Sequence, residues 1–171
     1  SKVSKIDLAI LNAGILGPIA NMKDQSLDNL TKVMNINVWA NKPIIDALLE
    51  TVPNTKKVVA ISSGAAINGN KGWGGYSISK AALNMFIKLY ASENKNTAFY
   101  SFAPGLIDTP MQDYLCGDEL DVSKFPSAQK LKDARYTPNM PTAENAGEIL
   151  AKGIDELDKL QTGSFADIRK M

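Results

Sequence analysis

At 171 residues, with 44% hydrophobic and 22% charged content, the chain has the length and composition of one globular domain with a real core. Nineteen basic against eighteen acidic residues leave a net charge of +1, so neither nucleic acid nor a membrane surface is an expected partner, and no apolar run is long enough to cross a membrane. The absence of histidine removes Ser-His-Asp catalysis and the usual zinc sites, so no metal is expected; the lone Cys116 admits no intrachain disulfide and reads as a bystander in a reducing, cytoplasmic setting.

The first element is a buried strand over Ile6–Leu11, ended by Asn12-Ala13-Gly14, which taken alone is a turn. Ser26 is a good N-cap for a helix from about Leu27, with Leu27, Leu30, Val33, Met34 and Val38 as its apolar stripe. A second apolar set, Ile44, Ile45, Leu48 and Leu49, follows Pro43, which implies a kink or break between the two. Val58-Val59-Ala60-Ile61 reads as a second buried strand.

The stretch from Ser62 to Lys80 comes next and carries most of the chemistry. It is a hydroxyl- and glycine-bearing loop leading into a helix on which Ala82, Met85, Phe86, Leu89 and Tyr90 recur at helical spacing. Tyr76 and Lys80 are four apart and share one helix face. Ser63, thirteen residues before Tyr76, stands at the strand end and can converge on it. A phenol beside an ammonium is a candidate proton donor, because a nearby positive charge favours phenolate and lowers a pKa that is ordinarily about 10. Tyr-x-x-x-Lys alone is a weak signal, since most such pairs are helix-surface neighbours.

Thr97–Ala103 reads as the next strand and runs into Pro104-Gly105-Leu106-Ile107-Asp108-Thr109-Pro110-Met111. Residues 112–141 are polar and loop-like, interrupted by Pro126, Pro138 and Pro141; a connection this long is a lid or carries short helices. Met111, Tyr114, Leu115 and Phe125 are candidate walls of a binding pocket, with simple packing as the equal alternative. Thr142 caps a helix with Glu144 in its first turn and Ala143, Ala146, Ile149, Leu150 and Ile154 on its apolar face. Gly163 turns the chain into Ser164–Ile168, a last edge strand. There is no internal repeat and no low-complexity tract.

Ser63, Tyr76 and Lys80, with Asn12-Ala13-Gly14 upstream and Pro-Gly-x-x-x-Thr downstream, resemble the motifs of the short-chain dehydrogenase/reductase family. The resemblance implies a doubly wound parallel sheet in three α/β/α layers, one domain over 1–171, and a substrate-loop region at about 112–141. It implies catalytic roles for Ser63, Tyr76, Lys80 and Asn37: substrate hydrogen bonding, proton transfer, tuning of the phenol, and a relay water. Asn12, Ala13, Gly14, Tyr76, Lys80, Pro104, Gly105, Ile107 and Thr109 are the implied cofactor contacts. The family's Gly-rich phosphate-binding turn would lie upstream of Ile6, and Gly69, Gly72, Gly74 and Gly75 do not replace it. The sequence is therefore expected to be part of a longer protein, inactive as this piece alone.

The segment from Gly72 to Tyr76 and the ending Gly163–Met171 are similar to the sepiapterin reductase and benzil reductase branch. That similarity implies reduction of a ketone or diketone with NADP in preference to NAD, in a homodimer or homotetramer built through the Tyr76 helix. The rival expectation is a non-catalytic dinucleotide-binding sensor on the same fold.

Overall fold

The computed structural model describes residues 3–118 and 120–171. β-branched and aromatic runs form the four strands of the described residues: β1 (Ala9–Leu11), β2 (Lys57–Ile61), β3 (Ala98–Ala103) and β4 (Phe165–Asp167). They pair in parallel in the order β1-β2-β3-β4, with Leu11 opposite Ala60, Ile61 opposite Phe102, and Ala103 opposite Asp167. Parallel neighbours need long crossovers. Here these hold α1 (Leu27–Met34) and α2 (Asn41–Thr51), then α3 (Gly74–Glu93), then α4 (Pro110–Cys116), α5 (Pro126–Ala134) and α6 (Ala143–Glu156).

Alternate residues of each strand enter different cores. Val58, Ala60, Phe99 and Leu11 pack with Val38, Ile45, Leu83 and Ile87 under α2 and α3. Val59, Tyr100 and Phe102 pack with Ile154, Leu157 and Ala166 under α6 on the opposite face. The sheet is thus covered on both sides, as expected of a three-layer α/β/α fold. A third core, Leu16, Ile19, Trp73, Leu115, Leu120, Phe125 and Ala128, holds α4 and α5 as a cap over one end of the sheet.

Several expectations change in detail. The first strand is three residues, not six; Ile6 makes only an isolated bridge to Thr55. Leu8 and Ile10 are 41% and 47% exposed, because β1 is an edge strand and the α6 core does not extend over that face. Leu27, Met85, Leu89 and Ile149 are also exposed. On α3 the line turned to the sheet is Gly75, Ser79, Lys80, Leu83, Ile87 and Ala91, so the apolar set seen in the sequence is a flank rather than the buried face. The helical break lies upstream of Pro43, in a π-turn over Asn35–Trp39 where the Ala40 amide donates to the Asn35 carbonyl at 2.8 Å. Pro43 has no N–H for the Trp39 carbonyl, and the Asn41 side chain caps the nearby carbonyls of Asn37 and Val38 at 3.0 and 3.2 Å. Finally, Pro126 starts helix α5 rather than interrupting the segment, as Pro110 starts α4, since the first helical position needs no N–H.

Gly72 closes the cap against α3 at φ +95°, and an added Cβ would lie 2.5 Å from Phe125 and 2.9 Å from Ile19. Gly72→Ala is expected to cost about 3 kcal/mol through backbone strain and overpacking, read as a lowered urea midpoint with unchanged m-value.

Candidate active site

Because the strands are parallel, the loops leaving β1, β2 and β3 emerge along one edge, where ligands bind in such sheets. Asn12–Gly14 leave β1, Ser62–Ser63 leave β2 and Pro104–Thr109 leave β3. Tyr76 and Lys80 sit one turn apart on α3 at that edge.

Ser63 is half-buried, and its Oγ accepts from the Ala65 amide at 3.1 Å, which holds the turn after β2. Its hydroxyl approaches the Tyr76 phenol without a well-formed hydrogen bond. Burial pushes the Tyr76 pKa up from its ordinary value, and the Ser63 hydroxyl opposes this more weakly. Lys80 is 4% exposed; its Nζ donates to the Ile61 carbonyl at 2.7 Å and stands 5.6 Å from the Tyr76 ring centroid. Burial lowers its pKa to about 8. Desolvation thus favours the neutral phenol in this structure. The ammonium faces the ring and is held by a backbone oxygen.

Asn37 lies in the π-turn and is fully buried. Its Oδ1 accepts from the Ile15 amide at 2.8 Å, and its Nδ2 donates to the Ile15 carbonyl and to Ser79 Oγ, both at 2.9 Å. Ser79 in turn donates to the Tyr76 carbonyl at 2.7 Å. One side chain thus joins the loop after β1 to the Tyr76 turn of α3. A Cβ on Gly14 would meet Asn37 Oδ1 and Lys80 Nζ, each at 3.4 Å, so the missing side chain leaves open space beside the ammonium. Asn12 and Ala13 are exposed on the same loop.

Pro104, Gly105, Ile107 and Thr109 are half-buried on the adjoining strand exit. Gly105 has φ +79° and packs under Ile168 and Arg169. Thr109 precedes α4 without capping it, so its hydroxyl is not used there. A cavity of about 560 Å³ opens between the two loops, lined by Gly14, Ile15, Leu16, Gly17, Pro18, Met111 and Tyr114. Met111 and Tyr114 are therefore wall residues, whereas Leu115 and Phe125 are buried in the cap core and serve packing. A second cavity of about 440 Å³ lies along β4, against Ile67 and Leu160.

Sequence reasoning missed Ser79, Asn41 and Trp73. Trp73 Nε1 donates to Ser127 Oγ at 2.6 Å and its ring lies 6.1 Å from that of Tyr76, which ties the cap to the Tyr76 turn. Also missed was the buried carboxylate of Asp167, which is held by Arg169 over the Ser63–Gly64 turn and kept below its ordinary pKa by that pairing. The only sequence signal for Ser79 was its position three residues after Tyr76.

Asn37→Ala would strand the Ile15 amide, the Ile15 carbonyl and the Ser79 hydroxyl; an expected loss of about 2 kcal/mol in urea unfolding checks this. Lys80 predicts a pH dependence. Between its folded pKa of about 8 and its ordinary 10.5, the unfolded chain holds a proton that the folded chain has released. Stability therefore rises as pH is raised through this window, and Lys80→Met flattens the rise, read as urea midpoints at the two ends of the window.

The family model described as short chain dehydrogenase matches residues 1–119. The benzil reductase of Bacillus subtilis is 38% identical over 112 residues, 60% of this chain and 45% of that protein. The sepiapterin reductase of Bos taurus is 33% identical over 167 residues, 94% of this chain and 61% of that protein. The chain thus spans about half the length of the curated relatives it matches. Among solved structures, the YIR035C short chain dehydrogenase/reductase of Saccharomyces cerevisiae has a TM-score of 0.82 at 25% identity, covering 96% of this chain and 66% of that one. A short chain dehydrogenase of Escherichia coli complexed with NADPH has a TM-score of 0.69 at 26% identity, covering 97% and 64%. The chain belongs to the short-chain dehydrogenase family, on the branch that includes the sepiapterin and benzil reductases.

Proposed function

We propose that the protein is a nicotinamide-dependent carbonyl reductase in which this chain supplies the proton-transfer half of the site. The observation that carries the reading is the buried Lys80 facing the Tyr76 ring, with Ser63 beside the phenol, at the carboxyl edge of a parallel sheet. The bound dinucleotide would supply the hydride. Tyr76 Oη gives its proton to the substrate oxygen as negative charge develops there, and Ser63 Oγ donates a hydrogen bond to the same oxygen. Lys80, still largely protonated at pH 7, stabilises the phenolate that results. Asn37 holds Ile15 and the Tyr76 turn in fixed relation and is assigned the relay position behind Lys80.

Gly14 leaves room for the nicotinamide ribose beside Lys80, with Asn12 and Ala13 along the same wall. The exit of β3, with Pro104, Gly105, Ile107 and Thr109, is assigned the nicotinamide's other side. NADP is the first choice of cofactor and NAD the second, a preference supported by the NADPH complex of a structural neighbour. The cavity walls, which include Ile15, Leu16, Pro18, Met111 and Tyr114 and no charged residue, favour a neutral ketone or diketone. The sensor alternative is disfavoured because Ser63, Tyr76, Lys80 and Asn37 are all present.

The exposed apolar residues Trp39, Ile44, Ile78, Met85 and Leu89 on α2, α3 and the π-turn between α1 and α2 support a homo-oligomer formed through this face. The cytoplasmic setting belongs to the same reading.

The test is loss of reduced-nicotinamide absorbance with diketones and a pterin ketone, using protein expressed from its whole reading frame. Tyr76→Phe is expected to lower turnover about a hundredfold to ten-thousandfold while dinucleotide binding persists. Turnover unchanged in this variant refutes the mechanism. Met85→Asp is expected to shift the sedimentation coefficient toward the monomer, because it places a charge at the centre of the apolar face.

A further inference from the structure

Arg135 follows the last turn of α5, and its side chain, only 14% exposed, ties this segment back to the β3 exit and α4, 27 and 22 residues earlier. Nε donates to Asp108 Oδ1 at 3.0 Å, and Nη2 donates to Asp113 Oδ1 at 2.5 Å. Asp108 stands between Ile107 and Thr109 on the loop leaving β3 and is itself only 18% exposed. Its backbone amide donates to the Pro141 carbonyl at 2.9 Å, so the 135–141 segment grips this loop by side chain and by main chain. Asp113 belongs to α4, between the cavity-lining Met111 and Tyr114. The chain leaves Arg135 through Tyr136, a non-glycine residue at φ +62° whose ring lies 5.0 Å from the guanidinium carbon.

An exposed ion pair would carry little meaning. This one is shielded on the Asp108 side, is forked between two carboxylates, and joins the loop leaving β3 to the helix whose Met111 and Tyr114 line the cavity. A planar guanidinium can bond to both at fixed angles, which an ammonium cannot do.

We propose that Arg135 is a positioning residue of the site: through Asp108 it sets the loop bearing Ile107 and Thr109, and through Asp113 it sets the cavity wall bearing Met111 and Tyr114, so that the loop and this wall move as one unit. The proposal rests on the reductase reading for the identity of what the cavity holds, and on the geometry alone for the coupling of loop and wall.

The experiment compares the unaltered protein with Arg135→Gln, Arg135→Lys, Asp108→Asn and the Arg135→Gln/Asp108→Asn pair. Amide hydrogen exchange over residues 104–116 is measured without substrate, and KM and kcat are measured with a diketone. Arg135→Gln is expected to speed exchange in that segment about tenfold and to raise the diketone KM about tenfold, with kcat held within about twofold. Arg135→Lys should fall between, and the double variant should be no worse than the worse single one, because both changes break the same link. Unchanged exchange and KM in Arg135→Gln, or a lower melting temperature with KM unmoved, overturns the proposal. Absence of turnover in the unaltered protein overturns the reductase reading instead, and the exchange comparison then judges the coupling by itself. If Arg135→Gln does not fold, Asp108→Asn and Arg135→Lys carry the same comparison.

Discussion

The buried side-chain amide of Asn37 is the link on which the rest of the site depends. It satisfies both backbone groups of Ile15 and the hydroxyl of Ser79, and so spans two elements that are far apart in sequence. An amide can do this because it donates and accepts from one rigid plane. A buried group with all its partners rigidifies its surroundings, whereas one left partly bonded is costly. The loop after β1 and the first turns of α3 are thereby set against each other before any ligand arrives. The π-turn is what brings Asn37 into this position, and Asn41 satisfies the carbonyls that the irregular backbone would otherwise leave open.

Lys80 is the second costly group. An ammonium out of water is unfavourable, and burial weakens its hold on the proton accordingly. The Ile61 carbonyl at the end of β2 and the face of Tyr76 compensate in part. Such a cost is kept where it serves a function, so the same burial that destabilises the ammonium marks the site. The cap of α4 and α5 does the complementary work. Its core reaches Trp73 and borders Tyr76, so its packing and the geometry of the Tyr76 phenol are one problem.

Local signals carried the reading from sequence a long way. The strand runs, the Ser26 and Thr142 caps, and the shared face of Tyr76 and Lys80 are all set within a few residues, and all appear in the structure. The misreadings share one cause: they turn on neighbours distant in sequence. The α3 face was assigned from its apolar residues, but the sheet side holds Ser79 and Lys80, whose partners are Asn37 and Ile61. Pro126 looks like an interruption in the sequence because a proline marks either end of a helix until the partner segments are known. Arg135 had no signal at all, since a lone arginine in a polar stretch acquires meaning only from the two carboxylates that meet it. The roles of the site residues toward a cofactor rest on resemblance and geometry together.

The strand order also bears on how the molecule forms. Each strand pairs in parallel with the one made just before it, across a crossover that contains its own helices. Among the four described strands no pairing waits for one made later, so this part of the sheet can grow in one direction as the chain emerges. Loop closure over whole crossovers makes each addition slow, and the newest strand is an open edge until its successor docks. The apolar faces of β2 and β3 are then most vulnerable to a neighbouring chain in that interval, which makes concentration and rate of synthesis, more than final stability, the quantities that decide the yield of folded protein.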